Sequence, residues 1–293
     1  MNKAKVLLLT TVASALFAGC AVKNGPQTVE TKKEETVVST SVAICEILDA
    51  LEVDSVVGVP QTVSTLPERY KEATNIGSPM SPDLEVIKTL QPSVVISPSS
   101  LEGELKKGYE AAGISTYFAN LSSVDGMYES IRELGSRFGV EEKAATLVND
   151  YETYKQGLAK KYESVQKKKV LILMGLPGSY VVATEHSYVG NLVKLAGGEN
   201  VYEGESNEEF IQVNTEDMLK KAPDIILTTA HAMPEQVKSM FKEEFKTNDI
   251  WKHFEAVKNE QVYMTQSSAF GMSANLRYQQ AVEELEGYLY ATN

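Results

Sequence analysis

The sequence predicts an α/β protein of two similar lobes with mainly parallel sheets, joined by a single long helix, with a ligand cleft between the lobes. Two observations carry this expectation. The first is a unit that occurs twice. Glu85-Val-Ile-Lys-Thr-Leu-Gln-Pro-Ser-Val-Val-Ile-Ser97 recurs as Glu216-Asp-Met-Leu-Lys-Lys-Ala-Pro-Asp-Ile-Ile-Leu-Thr228. Each copy starts with Glu, places Pro seven positions later, and follows it with a three-residue apolar run ending in a hydroxyl residue. The physical reading is a short helix, a proline stop with an extended residue before it, then a strand buried on both faces. One such unit in each half suggests duplicated lobes. The second observation is the stretch from 141 to 165. Ala144, Leu147, Val148, Tyr151, Tyr154 and Leu158 recur at three- and four-residue spacing, with no Pro and one Gly. A helix of about 25 residues would be about 37 Å long, enough to connect two lobes.

The N-terminus reads as a targeting segment. Lys3 and Lys5 precede the apolar run Val6 to Ala18, which ends Leu16-Phe17-Ala18-Gly19-Cys20. The run is short for a membrane span and suits a signal peptide. Small residues before a Cys resemble the bacterial lipobox, with Phe17 departing from the usual Leu. That resemblance implies that residues 1–19 are a signal peptide and that Cys20 carries a lipid such as palmitate. Acyl chains would hold the protein on the outer face of the cell membrane. Residues 20–35 are polar and carry Gly25, Pro26 and Lys32-Lys33-Glu34-Glu35, the composition of a tether.

The first lobe is expected over 36–140. It opens with a strand at 36–39, then Thr40 and Ser41 as natural caps for a helix patterned by Val42, Ile44, Ile47, Leu48 and Leu51. Cys45 reads as a buried small hydrophobe inside that helix. A second strand follows at 55–58. Residues 59–82, punctuated by Pro60, Pro67, Pro79 and Pro82, form a long irregular connection of the kind that carries function. After the first copy of the unit come a helix over 101–112 closed by Gly113 and a strand at 116–118. Helix is expected over 123–165, broken at Gly135–Val140, with the connecting helix at 141–166.

The second lobe is expected over 167–293. It has strands at 170–174 and 180–183, with Gly175-Leu176-Pro177-Gly178 as the turn between them. A helix over 189–196 ends at Gly197-Gly198, a C-cap signal. The second copy of the unit runs into Thr229-Ala230-His231-Ala232-Met233-Pro234. Helix over 235–245, strand over 262–265, the loop 267–272 and a final helix over 273–290 complete the chain.

This order of elements resembles the ABC-transporter substrate-binding proteins with a helical backbone, the class that carries siderophores, cobalamin and haem. Gly77-Ser-Pro-Met-Ser-Pro-Asp83, Thr229-Ala-His231 and Phe270-Gly-Met-Ser-Ala-Asn275 narrow it to the IsdE-type haem-binding lipoproteins of Gram-positive bacteria. The resemblance implies that haem is the transported ligand, with Met80 from the first lobe and His231 from the second as axial iron ligands. A thioether and an imidazole are a known axial pair that tunes the iron's potential. Met233 and Met272 are weaker candidates for the sulfur ligand; His186 and His253 read as structural. The propionates need donors. The helix starting near Val42 has free amides at its N-terminus, so Thr40, Ser41, Val42 and Ala43 are the expected cradle, with Met272 in the pocket. The resemblance further implies that Glu85 and Glu216 dock on the ABC permease of the same uptake system, that surface proteins donate the haem, and that the protein acts as a monomer.

Other classes fit less well. A net charge of −12 and no basic face argue against nucleic acid. A siderophore or cobalamin carrier of the same class is the alternative; a siderophore pocket would use clustered Arg and Tyr, and only Arg69 and Arg277 suggest themselves. An enzyme is disfavoured, with no nucleophile elbow, P-loop or Cys-x-x-Cys in the sequence. A surface adhesin would leave the paired ligands unexplained.

Overall fold

The structure, a computed structural model, describes residues 35–230, 233–265 and 269–290. The leader, Cys20 and nearly all of the expected tether lie outside the described residues, as do His231 and Ser267.

The first lobe runs β1 (Val37–Ser39), α1 (Val42–Ala50), β2 (Val56–Val59), β3 (Thr74–Asn75), β4 (Gly77–Ser78), β5 (Ser81–Pro82), α2 (Leu84–Leu90), β6 (Val94–Pro98), α3 (Glu102–Ala111) and β7 (Thr116–Ala119). Its five-stranded sheet has the order β3-β2-β1-β6-β7 and is parallel throughout. Then come α4 (Val124–Phe138) and α5 (Glu141–Tyr162). The second lobe runs β8 (Lys169–Leu176), β9 (Ser179–Ala183), α6 (Tyr188–Leu195), β10 (Glu199–Asn200), β11 (Phe210–Ile211), α7 (Thr215–Lys220), β12 (Ile225–Ala230), α8 (Pro234–Thr247), α9 (Glu255–Lys258), β13 (Val262–Met264) and α10 (Tyr278–Tyr290). Its sheet has the order β11-β9-β8-β12-β13.

The two copies of the repeated unit occupy the same place. Their strands, β6 and β12, each lie parallel to the first strand of their lobe, with Val38 against Val95 and Ile172 against Leu227. Their helices, α2 and α7, are capped by Asp83 and Asn214, whose side chains accept amides of the first turn. Both copies also differ from expectation in one respect. The residue before the proline is left-handed, with φ of 48° at Gln91 and 49° at Ala222, where extended backbone was expected. Proline excludes the right-handed helical region at the preceding residue, and the left-handed region closes the helix while the chain turns into the strand.

Alternation along the strands buries both faces of each sheet. Val37, Val94 and Ile96 enter one large cluster that runs through both lobes and includes Tyr151, Val170, Ile225 and Val282. Val38 and Val95 point the other way, onto Ile87 and Tyr109. Leu171, Leu173 and Ile226 do the same against Trp251 and Phe254. Each such side chain fully buried contributes roughly 1.5–3 kcal/mol. At the junction, Tyr128 of α4 stacks on Tyr151 of α5 with ring centroids 4.3 Å apart, and Tyr278 of α10 meets both edge-on. Asn191 accepts the Val124 amide at 2.9 Å, and the Leu121 carbonyl accepts the Ala274 amide at 2.7 Å.

Four boundaries depart from the sequence expectation, the first being the connecting helix α5, which ends at Tyr162 where 166 was expected. The helix break falls at Gly139–Val140, because α4 continues through Gly135, where the methyl of Ala144 packs so closely that a Cβ would collide. Gly175 belongs to β8, and the hairpin to the antiparallel β9 turns on Pro177 and Gly178. The last helix starts at Tyr278, not at 273: the amides of Ala274 and Arg277 are taken by Leu121 and by the Asn275 side chain, which holds 273–277 as irregular chain.

Candidate functional site

In open α/β sheets ligands lie beyond the carboxyl ends of the strands, where the strand order reverses. In the first lobe this point falls between β1 and β6. In the second it falls between β8 and β12. The sequence-predicted residues cluster at these two points and on the loops beside them.

At the first point the chain leaves β1 through Ser39 and Thr40 and enters α1. Ser41 is the N-cap, extended at φ −141°, and its hydroxyl accepts the Ile44 amide at 3.2 Å. Thr40 departs from the expected role. It is wholly buried, its amide donates to the Ile96 carbonyl at 3.0 Å, and its hydroxyl donates to Ser97 Oγ at 2.9 Å. Its polar groups therefore tie β1 to β6 and are occupied. Val42 and Ala43, half-buried, keep the first-turn amides that have no intrahelical partner. Ser39 donates to the Ser41 carbonyl at 3.0 Å and accepts the Cys45 thiol at 3.2 Å. Burial pushes that thiol up to about 11, so Cys45 is a neutral, buried small side chain.

Met80 sits on the turn between β4 and β5 and is 60% exposed. The base of this hairpin is well held. The Gly77 amide donates to Asn75 Oδ1 at 2.8 Å, the Gly77 carbonyl accepts the Gln61 amide at 2.8 Å, and the Asp83 amide donates to the Ile76 carbonyl at 2.8 Å. Gly77 has φ 85°, a conformation that favours glycine. A thioether thus stands in the open on a fixed support. Val63, on the loop that Gln61 ties to this hairpin, is fully exposed.

At the second point β12 ends at Ala230, paired with Gly175 of β8, and the chain resumes at Met233. Met233 is left-handed at φ 49° and 58% exposed, and Pro234 opens α8 behind it. His231 lies between these, outside the described residues. Ala269 to Met272 runs alongside: the Thr229 hydroxyl donates to the Phe270 carbonyl at 3.1 Å, and the Tyr188 hydroxyl to the Ala269 carbonyl at 3.2 Å. Met272 is partly buried against the large core, so its thioether is less open than those of Met80 and Met233.

Glu85 and Glu216 take the same position, the second residue of a capped helix, and both are exposed. Glu85 pairs with Lys88 at 3.0 Å. His186 and His253 are exposed, and His186 lies 3.4 Å from Glu185.

One feature of the lobe junction was missed. Glu46 of α1 pairs with Arg277, which comes just before α10, and joins the two lobes by charge. A lone Glu among Ile44, Cys45, Ile47 and Leu48 was the available signal. Arg69 is held on the surface by Asp49 and Asp54. Among the described residues no group of three or more His, Cys, Asp or Glu could hold a free metal ion, and no helix is long and apolar enough to cross a membrane.

Comparison with known proteins gives a consistent result. The periplasmic binding protein family matches residues 37–269. The chain is 40% identical over 291 residues to the high-affinity heme uptake system protein IsdE of Staphylococcus aureus, covering 99% of both chains. Among solved structures, an ABC transporter substrate-binding protein from Listeria monocytogenes EGD-e superposes with a TM-score of 0.84 at 46% identity, covering 89% of this chain and 100% of that one. The S. aureus IsdE complex with heme superposes with a TM-score of 0.83 at 44% identity, covering 88% and 99%. The vitamin B12 binding protein BtuF of Vibrio cholerae shares the fold at 21% identity, with a TM-score of 0.69 over 87% and 96% of the chains.

Proposed function

The chain belongs to the periplasmic binding protein family, and from that premise we propose that it is the haem-binding component of an ABC uptake system and no enzyme. Haem is its cargo, bound outside the cytoplasm and passed to a permease for iron acquisition. The observation that carries this reading is full-length likeness to the heme uptake protein IsdE, together with a chain that keeps an open thioether on a fixed hairpin.

Met80 and His231 are the axial ligands in this reading, one from each lobe. Both are neutral donors suited to haem iron. The exposure of Met80 supports it, because the sulfur needs no rearrangement of packed neighbours to reach a ligand. The amides of Val42 and Ala43, with Ser41 beside them, serve the propionates; a helix N-terminus carries partial positive charge. Glu85 and Glu216 meet the permease through Arg residues, since carboxylate–guanidinium pairs fix orientation as well as add energy. Their equivalent positions in the two copies suit a two-fold symmetric partner. A lipid on Cys20 keeps the protein at the outer face of the membrane, where surface proteins supply haem to the monomer.

A ferric-siderophore carrier is disfavoured by Arg69, whose guanidinium is already held by two carboxylates on the surface. The test is haemin added to the purified chain, followed by absorption. A spectrum with a His/Met signature is expected, and it should be lost in Met80→Ala and in His231→Ala. An unchanged spectrum in both variants refutes the ligand assignment.

A further inference from the structure

A chain with a net charge of −12 carries six lysines and one acid between 155 and 169. They are Lys155, Lys160, Lys161, Lys167, Lys168 and Lys169, with Glu163. The structure gathers part of this run, together with Lys194 of α6, around a groove along the second half of α5. Leu158 and Tyr162 form its apolar floor, and Lys155, Lys167 and Lys194 line it. Asp125 is the one acid in the lining and pairs with Lys155 at 2.5 Å. Lys161 pairs with Glu286 at 2.6 Å. Among the described residues, Lys167 and Lys194 have no ion-pair partner, and both are exposed. Val165, on the loop that leads from α5 to these lysines, is one of the few exposed large apolar side chains.

We infer that this groove and the Val165 loop rest on an anionic phospholipid surface; the inference builds on the reading that Cys20 carries a lipid anchor. Two independent features point there. The lysines give a local positive face on an acidic protein, and ammonium groups near an anionic leaflet are each attracted to it. Val165 and the apolar floor offer the small hydrophobic contact that interfacial binding adds to charge. The acyl chains on Cys20 keep the protein at the membrane, and a basic patch beside them sets which face meets the lipid. The 16 residues from Cys20 to Glu35 span up to about 50 Å when extended, so the anchor leaves this contact free to form.

The location has a functional consequence. The groove lies at the C-terminal end of α6, whose N-terminal Tyr188 meets Ala269 beside the haem-side loops. A membrane contact at the groove holds those loops away from the lipid, open to a donor.

The test is amine acetylation of the full-length lipid-modified protein in vesicles, read by mass spectrometry. One set of vesicles is phosphatidylcholine alone; the other is equal parts phosphatidylcholine and phosphatidylglycerol. Lys167 and Lys194 should be acetylated about fivefold more slowly on the anionic vesicles, the factor expected for one lysine's attraction to the surface. High salt should remove the difference. Lys107 on α3 and Lys238 on α8 should label equally on both. In the Lys167→Glu, Lys168→Glu double variant, Lys194 should lose its protection while haemin binding is unchanged. Equal labelling on the two vesicles overturns the inference, as does equal protection on phosphatidylcholine when soluble polyphosphate is added, which marks a general polyanion site. The same spectra report the mass of Cys20. An unmodified Cys20 overturns the anchor reading and this orientation with it, whereas a modified Cys20 with equal labelling overturns the groove alone.

Discussion

Thr40 separates a structural role from a haem-binding one, and Thr40→Val is the variant that does so. Valine matches threonine in shape, so no cavity forms; the loss is the hydroxyl. That hydroxyl donates to Ser97 Oγ at 2.9 Å and lies 3.3 Å from the Ile96 carbonyl, in a wholly buried setting. Removing one buried hydrogen bond costs about 1 kcal/mol, and a partner left unsatisfied costs more. Among the described residues, Ser97 then keeps the Tyr109 hydroxyl at 3.5 Å. A loss of about 1–2 kcal/mol is therefore expected. At a urea slope of roughly 3 kcal/mol/M this lowers the unfolding midpoint by about 0.5 M. Circular dichroism in urea reads that shift, and a haemin titration of the same variant reads affinity. Affinity should stay as in the unmodified chain, because the Thr40 amide and hydroxyl both face inward. A haem affinity that falls while the urea midpoint holds would refute the assignment and return Thr40 to the propionate cradle.

Met80→Ala should leave the unfolding free energy within about 0.5 kcal/mol of the parent, since the side chain is exposed and the hairpin is held by its backbone, while the haem spectrum changes. Gly190→Ala should destabilise by about 1–3 kcal/mol or more, because a Cβ there collides with the Thr184 carbonyl and comes within 2.8 Å of Glu185 Cα; a normal midpoint would show that the start of α6 can shift. Glu85→Lys with Glu216→Lys should bind haemin normally in solution and fail in cellular haem uptake; uptake at the parent rate would assign docking to other residues. Cys45 should resist iodoacetamide at pH 8 until the chain is unfolded. Its thiol pKa is raised from 9.0 to about 11, so the folded state favours the protonated form; this contribution is fully present below pH 9 and is lost as pH rises toward 11.

Several features were legible in the residues themselves because they depend on neighbours only a few positions away. The Glu-to-Pro spacing announces α2 with β6 and α7 with β12, since helix, stop and strand follow from local backbone chemistry. The three- and four-residue apolar spacing announces α5, which runs Glu141–Tyr162, and the pair Thr40-Ser41 announces the start of α1. Met80 was singled out by the resemblance of Gly77–Asp83 to a haem-ligand segment, since a thioether in a proline-marked loop is by itself more often a gap-filler.

What the tertiary structure decided is which polar group meets which. Thr40 and Ser41 are adjacent and equally suited to capping, yet β6 lies beside β1 and its Ile96 carbonyl and Ser97 hydroxyl take up Thr40, which leaves Ser41 as the cap. Arg69 and Arg277 look alike as isolated cations; the fold gives one to Asp49 and Asp54 on the surface and the other to Glu46 across the lobe junction. Gly135 suggests a break, but the close approach of Ala144 turns it into a packing position inside α4. In each case the deciding partner is remote in sequence or lies on another helix. Hydrogen bonds and ion pairs act over a few ångströms in space, and only the folded chain sets those distances.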